Sequence, residues 1–458
     1  MWSTVREALR GTEIDFTTAP VGRAVVLLAV PMVVEMAMES IFAVADVFWV
    51  AHLGADAVAT VGLTESMLTM IYTAAMGLSI GATALVARRI GEQDPEGAAH
   101  AAGQSILLGL GVAAAIALVT APNAERLLRI MGGSEELIAT GSGFTTIMLA
   151  GNATVLLLFL LNAVFRGAGD AAIAMRVLVL GNLLNIALGP CFIFGLGPFP
   201  ELGVAGAAVA TNIGRGTAVL YQIVTLVRGR GRVQVRLRHL RLDFGMMRTV
   251  LRLSGLGTFQ ILIGTASYIG LVRIISIFGS AALAGYTIGI RIIIFALLPA
   301  FGISNAAATM VGQNLGAGRP ERAERAVWTA ARYNMVFLGG VGLVFLVGAR
   351  FITGLFTSDP LVQPYAASCL RIVSLGFVFY AAGMVLTQSF NGAGDTWTPT
   401  VINLFVFWLW ELPLAWWLSV GLDLGARGVF IALTIAYSTL AVVSAILFKR
   451  GTWKTKKV

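Results

Sequence analysis

Charge is scarce in this chain. Asp, Glu, Lys and Arg make up 12% of its 458 residues, while 57% are hydrophobic. A water-soluble domain carries about 25% charged residues, so much of this surface must face something other than water. A mean hydropathy of +0.85 points the same way and excludes an aqueous globular fold. Cysteine is nearly missing. Cys191 and Cys369 each lie alone in an apolar stretch, which leaves no disulfide framework and no Cys-based metal pattern. The histidines stand singly at His52, His100 and His239, so no metal cluster is expected from them. The start of the chain lacks an unbroken apolar run, because Arg6, Glu7, Glu13 and Asp15 interrupt it. That excludes a cleavable signal peptide and reads as a short cytoplasmic helix before the first span. No lysine follows the Gly-rich turns as it would in a phosphate-cradling loop, so ATP hydrolysis is not expected. Nor is there a nucleophile or metal set for an enzyme, and no cofactor is implied.

Long apolar runs are abundant instead. A bilayer-crossing helix needs about 20 apolar residues. Twelve such segments are expected, near 24–50, 57–88, 97–121, 137–164, 171–196, 202–227, 247–277, 282–313, 322–348, 363–389, 397–420 and 425–448. None alternates strictly, and only helices or closed barrels satisfy their backbone in lipid, so these are helices. The tract Phe165-Arg166-Gly167-Ala168-Gly169-Asp170 recurs as Phe390-Asn391-Gly392-Ala393-Gly394-Asp395, a shift of 225 positions. Gly77-Leu78-Ser79 with Gly91, Pro95 and Glu96 returns at the same shift as Gly302-Ile303-Ser304 with Gly316, Pro320 and Glu321. One long shift shared by separated tracts marks a duplicated half rather than a solenoid, and in an apolar chain that is the organisation of a transporter. The expected fold is an all-α integral membrane protein with twelve transmembrane helices in two pseudo-symmetric six-helix lobes.

The net charge of +9 is confined to short loops and the tail, so it is no nucleic-acid footprint. One set of helix ends holds 24 of the 32 cationic residues, among them Arg88, Arg89, Arg166, the run from Arg228 to Arg252, Arg319 and Lys449 to Lys457. The positive-inside rule then places both termini in the cytoplasm of a cell membrane. Six spans per half return the chain to the side it entered, so the repeat is parallel. The expected divisions are an N-terminal segment 1–23, an N-lobe 24–228, a cytoplasmic linker 229–246, a C-lobe 247–449 and a basic tail 450–458.

Glu35, Glu39 and Asp46 interrupt the first span. At 3.6 residues per turn they fall within about 40° of one another on the helix surface. A carboxylate at mid-bilayer costs about 2.5–3.5 kcal/mol on insertion scales, so three on one stripe must face the protein interior or a wet cavity, where such residues are functional by default. Clustered carboxylates repel, so at least one is expected to carry a proton near neutral pH. A proton, a sodium ion or an organic cation competing for that stripe is the physics of an antiporter. Elsewhere, Glu65, Gln260, Arg291 and Met36 are candidates to line a substrate cavity. Glu411 is an intramembrane acid that a partner such as Arg371 would neutralise.

At this point the residues resemble a known family. Asp46-Val47-Phe48-Trp49 with Leu53-Gly54, the two Gly-Ala-Gly-Asp turns, Asn185-Ile186-Ala187-Leu188-Gly189-Pro190 and Gly203 to Thr211 are similar to tracts of the multidrug and toxic compound extrusion (MATE) transporters, in the correct order over essentially the whole chain. The resemblance implies twelve helices in two lobes and cation-coupled export of amphipathic, often cationic, compounds. It carries the N-lobe acidic role to Asp46, with transient Na+ as an alternative to H+, and the polar partners of that site to Asn185 and Thr211. Two positions depart from the family. Gly189 stands where one branch has a second Asp, and Gly264 where another has a Glu in span seven. Glu39 or Glu35 is the available replacement for the missing charge. The resulting expectation is a monomeric secondary antiporter, not an enzyme, that exports small organic molecules in exchange for H+ or Na+. A flippase of a lipid-linked precursor in the same superfamily is the alternative, kept open by Arg273, Arg291 and Arg371.

Overall fold

The computed structural model describes residues 2–12 and 14–456, without the side chains of residues 42–47. It is helical, and no strand occurs among the described residues. A short helix α1 (Trp2–Arg10) precedes α2 (Val21–Ala51), α3 (Ala55–Gly91), α4 (Pro95–Thr120), α5 (Ala124–Ile130), α6 (Glu135–Ala150), α7 (Asn152–Ala168), α8 (Ala171–Phe194) and α9 (Val204–Arg228). The second half runs through α10 (Phe244–Ile275), α11 (Ser280–Gly316), α12 (Pro320–Gly354), α13 (Gln363–Ser374), α14 (Phe377–Gly392), α15 (Trp397–Asn403), α16 (Leu412–Trp416) and α17 (Ala426–Lys449). Leu404–Glu411 and Trp417–Gly421, on either side of α16, are π-helical. Local chemistry sets several starts. Asp94 accepts the backbone N–H of Gly97 just before Pro95, and Ser134 accepts that of Leu137, so each cap satisfies a donor the helix leaves open.

Among the described residues ten helical segments are long and apolar enough to cross a bilayer, three of them joining neighbours (α4 with α5, α6 with α7, α15 with α16), and α13 with α14, bent by 60° at their junction, makes an eleventh. The 25-residue α9 is not among them, since Thr211, Asn212 and Arg215 interrupt it; with it each repeat supplies six passes. The fourth pass is broken at the same place in both copies, by Gly151 between α6 and α7 and by Gly376 between α13 and α14. On α12, Val336, Leu343, Val347 and Phe351 are all more than 60% exposed, a stripe whose spacing presents one helix face to lipid.

The chain divides into two compact units. One comprises Leu9–Thr12 and Val34–Gly255, the other Met1–Ala8, Glu13–Val33 and Leu256–Val458. Inside the first unit, α7 ends against α3, and Gly167 makes this possible: a Cβ there would sit 3.0 Å from the Thr83 carbonyl oxygen. Inside the second, Gly392 meets the carbonyl oxygen of Ala308 in the same way, and Ala308 is the repeat image of Thr83. Gly169 and Gly394 then leave the helix with φ +93° and +81°, a left-handed geometry that a side chain resists. The repeated turn thus serves close helix approach and helix termination. Its aspartates secure the segment after each repeat. Asp170 accepts the Arg232 backbone N–H at 2.6 Å, and Asp395 pairs with Lys456 at 3.4 Å. The linker is further seated on α4, where the fully buried Gln104 donates to the carbonyls of His239 and Arg241 and His100 Nε2 lies 2.9 Å from Asp243.

Candidate cation-coupling site

Glu35 sits one turn past Pro31 on α2 and is 1% exposed. Its Oε1 accepts from Asn162 Nδ2 at 3.0 Å and from Arg166 Nη1 at 3.1 Å, both on α7. Gln222 of α9 extends the chain by donating to Asn162 Oδ1 at 2.6 Å. Every one of these side chains is buried, and Glu35 Oε2 is buried without a hydrogen bond. A buried charge is tolerated when it is paired and hydrogen-bonded, which accounts for Arg166 inside the membrane span. Arg166 therefore leaves the set of surface cations that orient the chain; it is the internal partner of Glu35.

Glu39, four residues on, is different. It is part-buried and makes no ion pair among the described residues. Arg215 of α9 lies near enough for the two charges to interact, but it donates to Tyr72 Oη of α3 at 2.8 Å and stacks 5.8 Å over that ring. Asn185 of α8 donates to Thr211 Oγ1 of α9 at 2.8 Å, both side chains buried. The structure thus brings these two together, in a seam where Gly181 and Gly214 let α8 and α9 touch. Gly189 faces Trp49. Asp46 falls in the stretch 42–47 and lies outside the described residues.

Of the residues expected to line a cavity, Met36 is part-buried, and Glu65 and Arg291 are exposed on α3 and α11. Gln260 is buried and spends its amide on Asn391 Oδ1 at 3.1 Å and the Thr396 carbonyl at 3.0 Å. Glu411 takes its hydrogen bond from Ser267 at 2.7 Å rather than from Arg371, whose Nε donates to the Leu346 carbonyl. The sequence does not mark Asn162, Gln222, Arg215 or Tyr72 as site residues, and it reads Arg166 only as a cytoplasmic-side cation. The repeat held a signal for one of them: Gln260 is the image of Glu35 and Asn391 the image of Arg166, so both members of one contact change polarity together.

The MatE family model matches residues 31–191 and again 258–417. The chain belongs to the MatE family. Its two matched segments are the two halves of the duplication. The probable multidrug resistance protein NorM of Thermotoga maritima is 27% identical over 439 residues, covering 95% of this chain and 94% of its own. The FAD transporter of Shewanella oneidensis is 24% identical, covering 94% of this chain and 95% of its own. Among solved MatE structures, an outward-facing multidrug resistance MATE transporter of the MOP superfamily superposes with a TM-score of 0.90 at 27% identity, covering 97% of this chain and all of its own. A MOP superfamily transporter from Pyrococcus furiosus, whose reversed binding-pocket polarity suggests a different function, gives 0.89 at 27% identity and 98% coverage of both chains. MATE structures of this kind carry twelve helices in two lobes. This MatE chain is accordingly an all-α membrane transporter.

Proposed function

We propose that this chain is a multidrug exporter that exchanges amphipathic, often cationic, organic compounds for protons by alternating access. The observation that carries the reading is the unequal treatment of two glutamates one turn apart. Glu35 is neutralised by Arg166, whereas Glu39 is intramembrane and has no ion-pair partner among the described residues. An acid in that position is free to trade a proton for an organic cation, and Asp46, on the same stripe, is the second carboxylate of the exchange. Asn185 and Thr211 serve as neutral hydrogen-bonding partners, and Glu35 with Arg166 anchors the helix that carries the stripe. Met36 and Glu65 are the proposed substrate contacts. Sodium in place of the proton uses the same oxygen donors. A transmembrane potential contributes about 2.3 kcal/mol per charge per 100 mV, enough for moderate drug gradients when one or two cations move.

Ethidium efflux from vesicles under an imposed proton or sodium gradient tests this. Asp46→Asn and Glu39→Gln should each reduce gradient-driven efflux at least tenfold. Export by both variants at the wild-type rate under either gradient would overturn the coupling assignment. An anionic substrate is the second reading, favoured by Arg215 within α9 and by a relative that carries FAD. It requires FAD, or a lipid pyrophosphate, to compete with ethidium, and absence of competition removes it.

A further inference from the structure

We propose that Glu411 is a further proton-binding carboxylate of this transporter, separate from the Glu39–Asp46 stripe and carried by the second repeat alone. The side chain is 2% exposed and ends a π-helical segment, Leu404–Glu411. Such wide turns inside otherwise α-helical spans concentrate at functional sites. No arginine, lysine or histidine pairs with Glu411 among the described residues. The titratable groups near enough to sense its charge are three tyrosines, Tyr286 of α11, Tyr380 of α14 and Tyr437 of α17, with no cation among them. From α10 it meets the hydroxyl of Ser267. Its Oε1 is buried without a hydrogen bond. A bare carboxylate enclosed in this way is strongly disfavoured, and an ionisable group kept inside a span despite that penalty marks a functional site.

Ser267 Oγ lies 3.0 Å from the Phe407 carbonyl oxygen and 2.7 Å from Glu411 Oε2. A hydroxyl has one proton and a carbonyl only accepts. When Ser267 donates to Phe407, the bond to Glu411 needs a proton on the carboxyl, which then donates to Ser267 Oγ. When Glu411 gives up that proton, Ser267 turns its hydroxyl to donate to the carboxylate instead. One proton enters or leaves, and the serine rotor accommodates both states. At the shift of 225, Ser267 and Glu411 correspond to Phe42 and Ile186, so the first repeat has no counterpart. Use of this site in transport rests on the proton-exchange reading above, whereas its occupancy does not.

The decisive measurement is therefore made without substrate, by infrared pH-difference spectroscopy on the full chain in lipid nanodiscs. Wild type should show a protonated-carboxyl C=O band that disappears as pH rises, and Glu411→Gln should lose that band. Ser267→Ala keeps the carboxyl and should shift both the frequency and the titration of the band. A Glu411→Gln spectrum that matches wild type at every pH, or a band that Ser267→Ala leaves unmoved, would overturn the proposal. Because this readout needs no transport, failure of Asp46→Asn to impair efflux would refute the coupling stripe while leaving Glu411 to be judged on its own band.

Discussion

Burying Glu35 against Arg166 withdraws two charges from lipid, but it also strips water from both, and the attraction only roughly balances that loss. The pair is therefore better judged by the cost of removing half of it. Glu35→Gln leaves an arginine in the span, and Arg166→Asn leaves a carboxylate; each should lower stability by about 3–5 kcal/mol. The second repeat supplies the control, because Gln260 and Asn391 fill the equivalent positions and exchange two amide hydrogen bonds, at 3.1 and 3.2 Å. Glu35→Gln combined with Arg166→Asn should accordingly cost less than the two single losses added together, with a coupling of about 0.5–3 kcal/mol. Unfolding midpoints in detergent for the two single variants and the double variant decide it, and strict additivity would reject the pairing. The acid at Glu35 was legible from its place among apolar residues. Its partner was not, because Arg166 also sits near a helix end, where an arginine ordinarily faces the cytoplasm.

At the scale of helices, the Gly-Ala-Gly-Asp turns join sequence to packing most directly. Their recurrence identifies two copies, while their purpose depends on what lies against them. A methyl group at Gly392 would overlap the Ala308 backbone, whereas one at Gly167 would sit at 3.0 Å from Thr83. Gly392→Ala should therefore destabilise by about 1–3 kcal/mol and Gly167→Ala by less, in thermal unfolding of purified protein. The linker offers a pH test. His100 and the backbone N–H groups of Met246 and Gly245 hold Asp243, just before α10, below the usual aspartate range. The fold thus favours the charged form. Its contribution is complete above the unfolded value of about 3.9 and is lost as pH falls through the lower folded value. Asp243→Asn should unfold at a lower temperature than wild type near pH 6, and the gap should close on acidification below the aspartate range.

For the molecule as a whole, the basic segments after each repeat are fastened parts of the structure. Trp453 is fully buried, stacks on Phe448 with centroids 4.6 Å apart and donates to the Phe448 carbonyl. Lys454 pairs with Glu324 at 2.6 Å. Trp453→Ala should cost about 3–5 kcal/mol, the usual loss for a large buried aromatic, read as a fall in unfolding midpoint of the full chain. Composition alone makes a topology signal of Lys449 to Lys457, and a window average has no means of reporting one tryptophan folded back onto its own helix.

What the amino-acid order determined by itself is the membrane as solvent, the helical class, the duplication and the presence of acids where lipid forbids them. All of these rest on local quantities: run length, charge spacing and identity at a constant shift. Tertiary structure decided which acids are neutralised. Glu35 and Glu39 look equivalent on a helical wheel, and Glu411 reads as a candidate partner of Arg371. Yet Glu35 carries an ion pair, Glu39 carries none among the described residues, and Glu411 meets a serine. The partners come from 127 to 144 residues away, and only the folded chain sets the distance and dielectric that decide whether a buried charge is paired, protonated or free to exchange.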